Sequence, residues 1–218
     1  MTDHDDFDQE PIRGLPELLP EGEEILWQGS PDWWALTKAS LSVRGVALYF
    51  GLLFGWQTVS AAADVPWATA LAQSSFYLVL GAVTCAILAA IGWCQAKAAI
   101  YTITNRRVIL RIGAALTMTL QFPFRWIAAA DLTTQKDGTG TIALRTLGET
   151  RFSYLMIWPH LRPWRFTPTQ PALRAIPKAA EVARLLAEAA QADLSMPQVT
   201  STPVAPTPDT GAMPVPAE

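Results

Sequence analysis

The longest apolar stretches of the chain lie between residues 45 and 96. Nineteen uncharged residues precede Asp64 and 32 follow it. A helix needs about 20 apolar residues to cross about 30 Å of hydrocarbon, so this region is long enough for two crossings. A carboxylate at mid-bilayer would cost roughly 2.5–3.5 kcal/mol, which places Asp64 in the connection. The pattern predicts spans near 43–62 and 76–96, with residues 66–75 forming a short segment at the far membrane surface.

Beyond the apolar region the periodicity changes from helical to alternating. Short runs with β-branched residues on alternating sides predict strands over 99–104, 107–112, 116–122 and 141–145. Residues 151–156 are a candidate for one more strand. Closely spaced strands with tight turns, such as the Asp-Gly turn at Asp137, predict a small antiparallel sheet or partial barrel.

The C-terminal third is expected to hold one helix and a disordered end. Pro177 is suited to the first turn of a helix. Apolar residues at helical spacing follow it: Val182, Leu185, Leu186 and Ala189. From residue 196 the chain has six prolines and no aromatic residue, a composition typical of disorder.

These patterns predict an α+β membrane protein, made of a two-helix transmembrane hairpin and a small antiparallel β domain with a C-terminal helix. Glu23–Pro31 has strand character and is expected to return across the hairpin and pair with the sheet. The predicted divisions are an acidic mobile arm (1–22), the returning strand and turn (23–42), the hairpin (43–97), the β domain with its helix (98–195) and the disordered Pro-rich tail (196–218).

The charges are unevenly distributed, although they sum to only −3. Residues 1–44 hold ten acids and three bases, whereas residues 97–195 hold six acids and thirteen bases. This distribution excludes a plain soluble globule, a disulfide scaffold and a wholly disordered chain. Bases flank both spans and the connection has none, so the positive-inside rule predicts a multi-pass membrane protein with both termini in the cytoplasm.

Candidate chemistry is sparse. The sequence offers no nucleophile with an adjacent base, no paired carboxylates and no phosphate-binding glycine loop, so we expect no enzymatic activity. The only histidines are His4 and His160, and neither span contains one. We therefore expect no metal and no cofactor, and no histidine-ligated pigment.

The segment Trp158–Phe166 is the densest feature of the chain. It combines prolines, which fix the backbone, with the residue types that dominate contact energies at interfaces. Its candidate partner-binding residues are Trp158, His160, Arg162, Trp164 and Arg165. The alternatives are a loop that covers the sheet edge, or one that rests on anionic lipid headgroups. Nucleic acid is not an expected partner, because no recognition motif is present.

Small residues also recur in the first span. Gly51 and Gly55 form a Gly-x-x-x-Gly motif, which permits close contact between membrane helices. One interpretation is that this face packs the two spans together. The other is a docking face for another membrane protein, and the sequence leaves both open.

Two resemblances involve these same segments. Glu21–Pro31, an apolar hairpin and Tyr101–Gly113 together are similar to bacterial membrane-anchored pleckstrin-homology-like (PH-like) domains, over residues 20–155. With Asp137–Gly140 and Trp158–Trp164 added, the chain resembles the PuhB family of photosynthetic complex assembly proteins of purple bacteria.

The second resemblance covers residues 17–190 and implies a function. It implies a non-enzymatic factor that helps to build the reaction centre and its core light-harvesting antenna in the cytoplasmic or intracytoplasmic membrane. The partners would be reaction-centre and core antenna polypeptides. The alternative is a PH-like module that binds anionic lipid headgroups without a dedicated protein client. The sequence does not indicate the oligomeric state.

Overall fold

The structure is a computed structural model, and it describes residues 11–114, 116–148, 153–165 and 167–195. In chain order its elements are β1 (Ile25–Gly29), α1 (Trp33–Leu41), α2 (Val43–Ala61), α3 (Trp67–Lys97), β2 (Ile100–Thr104), β3 (Arg107–Ile112), β4 (Met118–Pro123), a 3₁₀ turn (Phe124–Trp126), β5 (Ile127–Thr134), β6 (Gly140–Thr146), α4 (Tyr154–Ile157), β7 (Ala172–Ile176) and α5 (Ala179–Ser195). The α+β class, the antiparallel strands and the C-terminal helix are confirmed. The predicted tail, 196–218, lies outside the described residues.

The strands form two antiparallel sheets, in the orders β1-β2-β3-β4 and β5-β6-β7. Both sheets and α5 contribute to one core, with Tyr101, Leu110, Ile142 and Leu173 fully buried. Helix α5 covers the core with the predicted stripe, since Val182 and Leu186 are buried. The pattern analysis missed β5 and β7. Strand β5 is exposed along much of its length, so it has few of the buried positions that make a clear apolar alternation.

One strand expectation is wrong. Residues 151–156 were a candidate strand, but their described part leads into a helical turn, α4, which starts at Tyr154 directly after Ser153. Ile157 is the residue of α4 that enters the core, and Leu155 and Met156 remain exposed. A four-residue turn buries one side chain in this way, whereas a strand would have buried every second one.

The N-terminal segment belongs to the sheet. Strand β1 pairs antiparallel with β2, although helices α1, α2 and α3 lie between the two strands in the chain. Beside it the Glu23 carboxylate, 1% exposed, accepts a hydrogen bond from Arg107 Nε at 2.8 Å and another from Thr104 Oγ1 at 2.7 Å. Burial would raise the pKa of Glu23, but these hydrogen bonds outweigh it and hold the pKa below the ordinary value.

The second half of the expected acidic arm, 1–22, contains residues that contact the sheet. Leu15 is 2% exposed, and Gly14 lies so close to Ile100 that a Cβ there would clash with that side chain at 2.6 Å. Gln28 donates a hydrogen bond to the carbonyl of Arg13 at 2.8 Å. Apolar contact, which the acidic composition concealed, therefore attaches residues 12–15 to the sheet. Residues 1–10 lie outside the described part.

Helices α2 and α3 form a hairpin with Asp64 in its turn. Helix α3 begins at Trp67 rather than near residue 76, so residues 67–75 are its first turns and not a separate segment. Its 31 residues span about 46 Å at 1.5 Å per residue. The helices approach closely at Gly81, where a Cβ would lie 2.7 Å from Phe50.

Of the two hairpin helices, only α3 is by itself long and apolar enough to cross a membrane. Helix α3 has the required length and hydropathy, and only 11% of its most apolar window is buried. Helix α2 is long and apolar enough to cross only if it is counted together with α1, and the two helices are bent by 58° relative to each other at Ser42. One candidate crossing is thus present in α3, and the second expected crossing is taken up below as a proposal.

Helix α1 was not predicted, because its nine residues, starting at Trp33, are too short for a clear helical period. Asp32 caps it by accepting a hydrogen bond from Ala35 N at 2.7 Å. Leu36 is buried between the end of α3 and strand β7. The close approach to α3 requires Gly92, since a Cβ there would lie 1.9 Å from Thr37 Oγ1. Helix α1 therefore joins the β domain to the apolar hairpin.

Candidate functional site

The candidate loop starts from a buried polar cluster. The hydroxyl of Tyr101, on β2, lies 2.6 Å from His160 Nδ1, and both residues are almost fully buried. The same hydroxyl accepts a hydrogen bond from the backbone N–H of Arg174 at 3.3 Å, so its proton is available to donate to Nδ1. This arrangement makes His160 a neutral acceptor inside the domain. His160 is thereby enclosed in the core and is not exposed to a partner in this structure.

Arg174, on β7, connects three parts of the molecule. Its Nη1 donates to the carbonyl of Pro159 at 3.0 Å, and its Nη2 donates to the carbonyl of Ala39 in the last turn of α1 at 3.0 Å. The residue is only 4% exposed. A cation at the C-terminal end of a helix is favoured by the helix dipole. Arg174 therefore fixes both the start of the loop and the end of α1 to the sheet.

Burial sets the ionisation of this cluster. Burial and the adjacent Arg174 charge lower the pKa of His160 to about 3, so the imidazole is neutral at physiological pH. Burial also lowers the pKa of Arg174 and raises that of Tyr101. His160 Nε2 and Arg174 Nε are buried without a hydrogen-bond partner in the structure. The cluster is structural in character, because none of its atoms is open to a substrate.

The inner half of the candidate loop also packs against the domain. Trp158 is half-buried against the core. Arg162 Nη1 lies 2.8 Å from Asp131 Oδ2 on β5 and 3.2 Å from Gln170 Oε1. Hydrogen bonds from Arg145 and Arg162 lower the pKa of Asp131. These contacts fit the interpretation of a loop that covers a sheet edge, and they apply to the first part of the loop.

The outer half of the loop is different. Trp164 is 87% exposed and has a φ of +60°, a left-handed conformation that a bulky residue rarely adopts. Arg165 is exposed beside it. On the preceding turn, Leu155 and Met156 are 86% and 65% exposed. Phe166 lies outside the described residues. The exposed tip of the loop therefore contains two of its five candidate residues, Trp164 and Arg165. Leu155 and Met156, which the sequence did not single out, are exposed as well.

The structure bears on one of the two interpretations of the Gly51 and Gly55 motif, the packing of the two spans against each other. A Cβ at either glycine would meet nothing within 4 Å, so this face of α2 does not pack on α3. The hairpin instead uses Gly81 for its close contact. An open apolar groove remains on α2, lined by Tyr49, Gly51, Leu52, Leu53, Gly55, Trp56 and Val59. Within the described part of the chain, no side chain covers the motif.

Sequence reasoning missed Tyr101 and Arg174 as parts of the site. Each has an apolar, strand-like context. Tyr101 lies on β2 and Arg174 on β7, in different sheets, so their meeting with His160 depends on how the two sheets pack together. No local signal predicts that meeting. In the described parts of the chain, no group of three His, Cys, Asp or Glu residues is placed to hold a metal ion.

Comparison with known proteins identifies the family. The profile of the bacterial PH domain family matches residues 47–190. Over 212 residues the chain is 45% identical to a Rhodobacter capsulatus protein described as "Uncharacterized 23.7 kDa protein in puhA 5'region", and the match covers 94% of this chain and 96% of that protein. No solved structure matches. With two antiparallel sheets, a C-terminal helix and a family match over more than half its length, the chain belongs to the bacterial PH domain family.

Proposed function

We propose that this protein is a PuhB-type assembly factor, which binds reaction-centre and core antenna polypeptides in the inner membrane and has no enzymatic activity. The observation that carries the proposal is the 45% identity, over 94% of this chain, to a protein from the puhA 5′ region. The exposed apolar surfaces on α2 and at the loop tip give such a factor two places to bind a client.

The proposal places both long helices across the membrane. The outward side chains of α2 and α3 are apolar, including Leu48, Leu52, Phe76 and Ile87, each more than half exposed. A soluble protein rarely exposes so large an apolar area, whereas a bilayer covers it. Two crossings leave the β domain and the α5 helix in the cytoplasm, with the Asp64 turn on the other side.

This topology makes a direct prediction for cysteine labelling. In a chain whose native cysteines are replaced (Cys85→Ala and Cys94→Ala), we expect Asp64→Cys to react with a membrane-impermeant maleimide on intact spheroplasts. Glu188→Cys, on the exposed face of α5, should react only after the membrane is permeabilised. Reaction of both positions on intact spheroplasts, or of Glu188→Cys alone, would contradict the two-crossing arrangement.

The groove on α2 is the proposed contact with the membrane part of a client. Gly51 and Gly55 let another helix approach closely, which is how helices associate where no hydrophobic effect operates between them. The exposed Trp164 and Arg165 are the proposed contact with the cytoplasmic part. The φ of Trp164 is positive, and strained backbone positions of this kind cluster at functional sites.

A capture experiment from phototrophic membranes tests these contacts. The tagged wild-type protein in mild detergent should retain reaction-centre or antenna polypeptides. Gly55→Leu should reduce that yield at unchanged abundance, because the new side chain fills the groove without meeting any neighbour inside the chain. Trp164→Ala with Arg165→Ala should weaken the affinity for the client at least about thirtyfold and so lower the yield, since truncating one interface Trp or Arg costs about 2 kcal/mol.

The matched control for Gly55→Leu is Ala86→Leu, which adds similar bulk to the exposed surface of α3. Its capture yield should equal that of the wild type. If Gly55→Leu and the double loop variant both retain the client fully, the two proposed contacts are wrong. If the wild type retains lipid but no photosynthetic polypeptide, the protein is a lipid-surface module and the assembly role is wrong.

A further inference from the structure

A cleft opens where helices α1 and α2 meet the turn between β5 and β6. Its lining is Lys38 and Ala39 from α1, Arg44 from α2 and residues 134–137 of the turn. The cleft has a volume of about 680 Å³, within the range of about 300–1,000 Å³ that is typical of ligand sites. Helix α1 and the turn are in direct contact, because Lys38 Nζ lies 3.7 Å from Asp137 Oδ2.

The cleft carries an excess of positive charge. Lys38, Arg44 and Lys136 line it, with Asp137 as its one acid. Asp137 is engaged in its own turn, since its Oδ1 accepts hydrogen bonds from Thr139 N at 3.1 Å and Thr139 Oγ1 at 2.6 Å. Across the described ranges, Arg44 and Lys136 have no ion-pair partner. Two cations are thus left without a counter-charge in one concave site.

The position of the cleft indicates which anion it meets. Helix α1 turns into α2 at Ser42, whose φ is +49°, and Arg44 lies in the first turn of α2. The uncharged stretch begins immediately afterwards. In the proposed membrane arrangement, on which this inference rests, Arg44 lies at the level of the lipid phosphates. The cleft therefore opens toward the headgroup layer of the inner leaflet.

We propose that this cleft binds the phosphate of an anionic phospholipid headgroup. Arg44 offers a planar guanidinium that can donate two parallel hydrogen bonds, and Lys38 and Lys136 add point charges on either side. The lipid connects the β5–β6 turn to the α1–α2 joint, and so fixes the β domain at one orientation to the bilayer. This site is separate from both proposed client contacts.

Titration of the full-length protein in a neutral detergent with dioctanoyl phosphatidylglycerol tests the proposal. We expect saturable binding of one lipid, and weaker binding of dioctanoyl phosphatidylcholine and of inorganic phosphate. Lys136→Glu should weaken the phosphatidylglycerol affinity about thirtyfold, because the substitution changes the charge by two units and each unit contributes about 1 kcal/mol. Lys38→Gln should weaken it about fivefold. Thermal melts of each variant establish that it is folded.

The matched control is Arg184→Glu, which makes the same charge change on the exposed face of α5 outside the cleft. Its affinity should stay at the wild-type value. An equal loss in Arg184→Glu, or no loss in Lys136→Glu, overturns the site. Phosphate that binds as tightly as the lipid assigns the cleft to a soluble anion and overturns the lipid. A Lys136→Glu protein that loses the lipid but still captures its client separates this inference from the assembly proposal.

Discussion

Replacing Arg174 with alanine should lower the free energy of unfolding by about 3 kcal/mol. The change removes the donors to the carbonyls of Pro159 and Ala39, and each buried acceptor left unpaired costs about 1–3 kcal/mol. It also detaches the end of α1 from the sheet. We therefore expect a lower melting temperature in detergent and faster tryptic cleavage after Lys38.

Two further variants show whether the effect is specific. Arg174→Lys keeps the charge but replaces the two-armed guanidinium with a single ammonium, which should reach only one of the two carbonyls. Its loss of unfolding free energy should lie between those of the wild type and Arg174→Ala. Arg145→Ala removes an arginine that is 53% exposed and paired with Asp131, and should change stability by less than about 1 kcal/mol. Equal melting temperatures for Arg174→Ala and the wild type would show that the sheet does not depend on this residue.

Acidification from pH 7 to pH 5 should destabilise the protein by about 2 kcal/mol through His160. Its pKa in the folded state is about 3, whereas the unfolded chain takes up the proton near 6.5. Between these two values the unfolded state binds the additional proton, so stability falls as the pH is lowered below 6.5. Glu23 and Asp131, whose pKa values are lowered, remain ionised over this range and contribute little.

The measurement is the pH dependence of the unfolding free energy in the wild type, in His160→Gln and in His4→Gln. The glutamine at 160 cannot take up a proton, so this variant should lose most of the slope between pH 7 and pH 5. His4→Gln is the control for loss of a histidine and should retain the slope. A slope that vanishes in His4→Gln and persists in His160→Gln would assign the proton to the other histidine.

Much of the architecture was accessible from local patterns. The apolar hairpin, its turn at Asp64, most of the strands and the stripe of α5 follow from periodicity, because each depends on which side chains a short segment must bury. Helix α1 and strand β7 did not follow. The stability of α1 comes from contacts of Leu36 and Thr37 with distant elements, and no local period reports those contacts.

The candidate loop shows the same division between local and distant information. Its composition marked Trp158–Phe166 as one unit, and the structure places its inner and outer residues in different surroundings. Arg162 meets Asp131, which is 31 positions away, and His160 meets Tyr101 across 59 positions. Among the described residues, Trp164 and Arg165 make no such contact, and both remain at the surface. Residue type alone does not distinguish an arginine that holds a loop from one that reaches out of it.

By itself, the sequence determined that this chain joins an apolar helical region to a basic, antiparallel β domain, because charge and periodicity are properties of consecutive residues. Only the tertiary structure decided which surfaces remain open. From the sequence, the face with Gly51 and Gly55 could have packed the hairpin together, but in the structure Gly81 makes that contact. The cations of the cleft converge only because the β5–β6 turn folds onto α1. Exposure and convergence depend on what the rest of the chain covers, and long-range packing determines that.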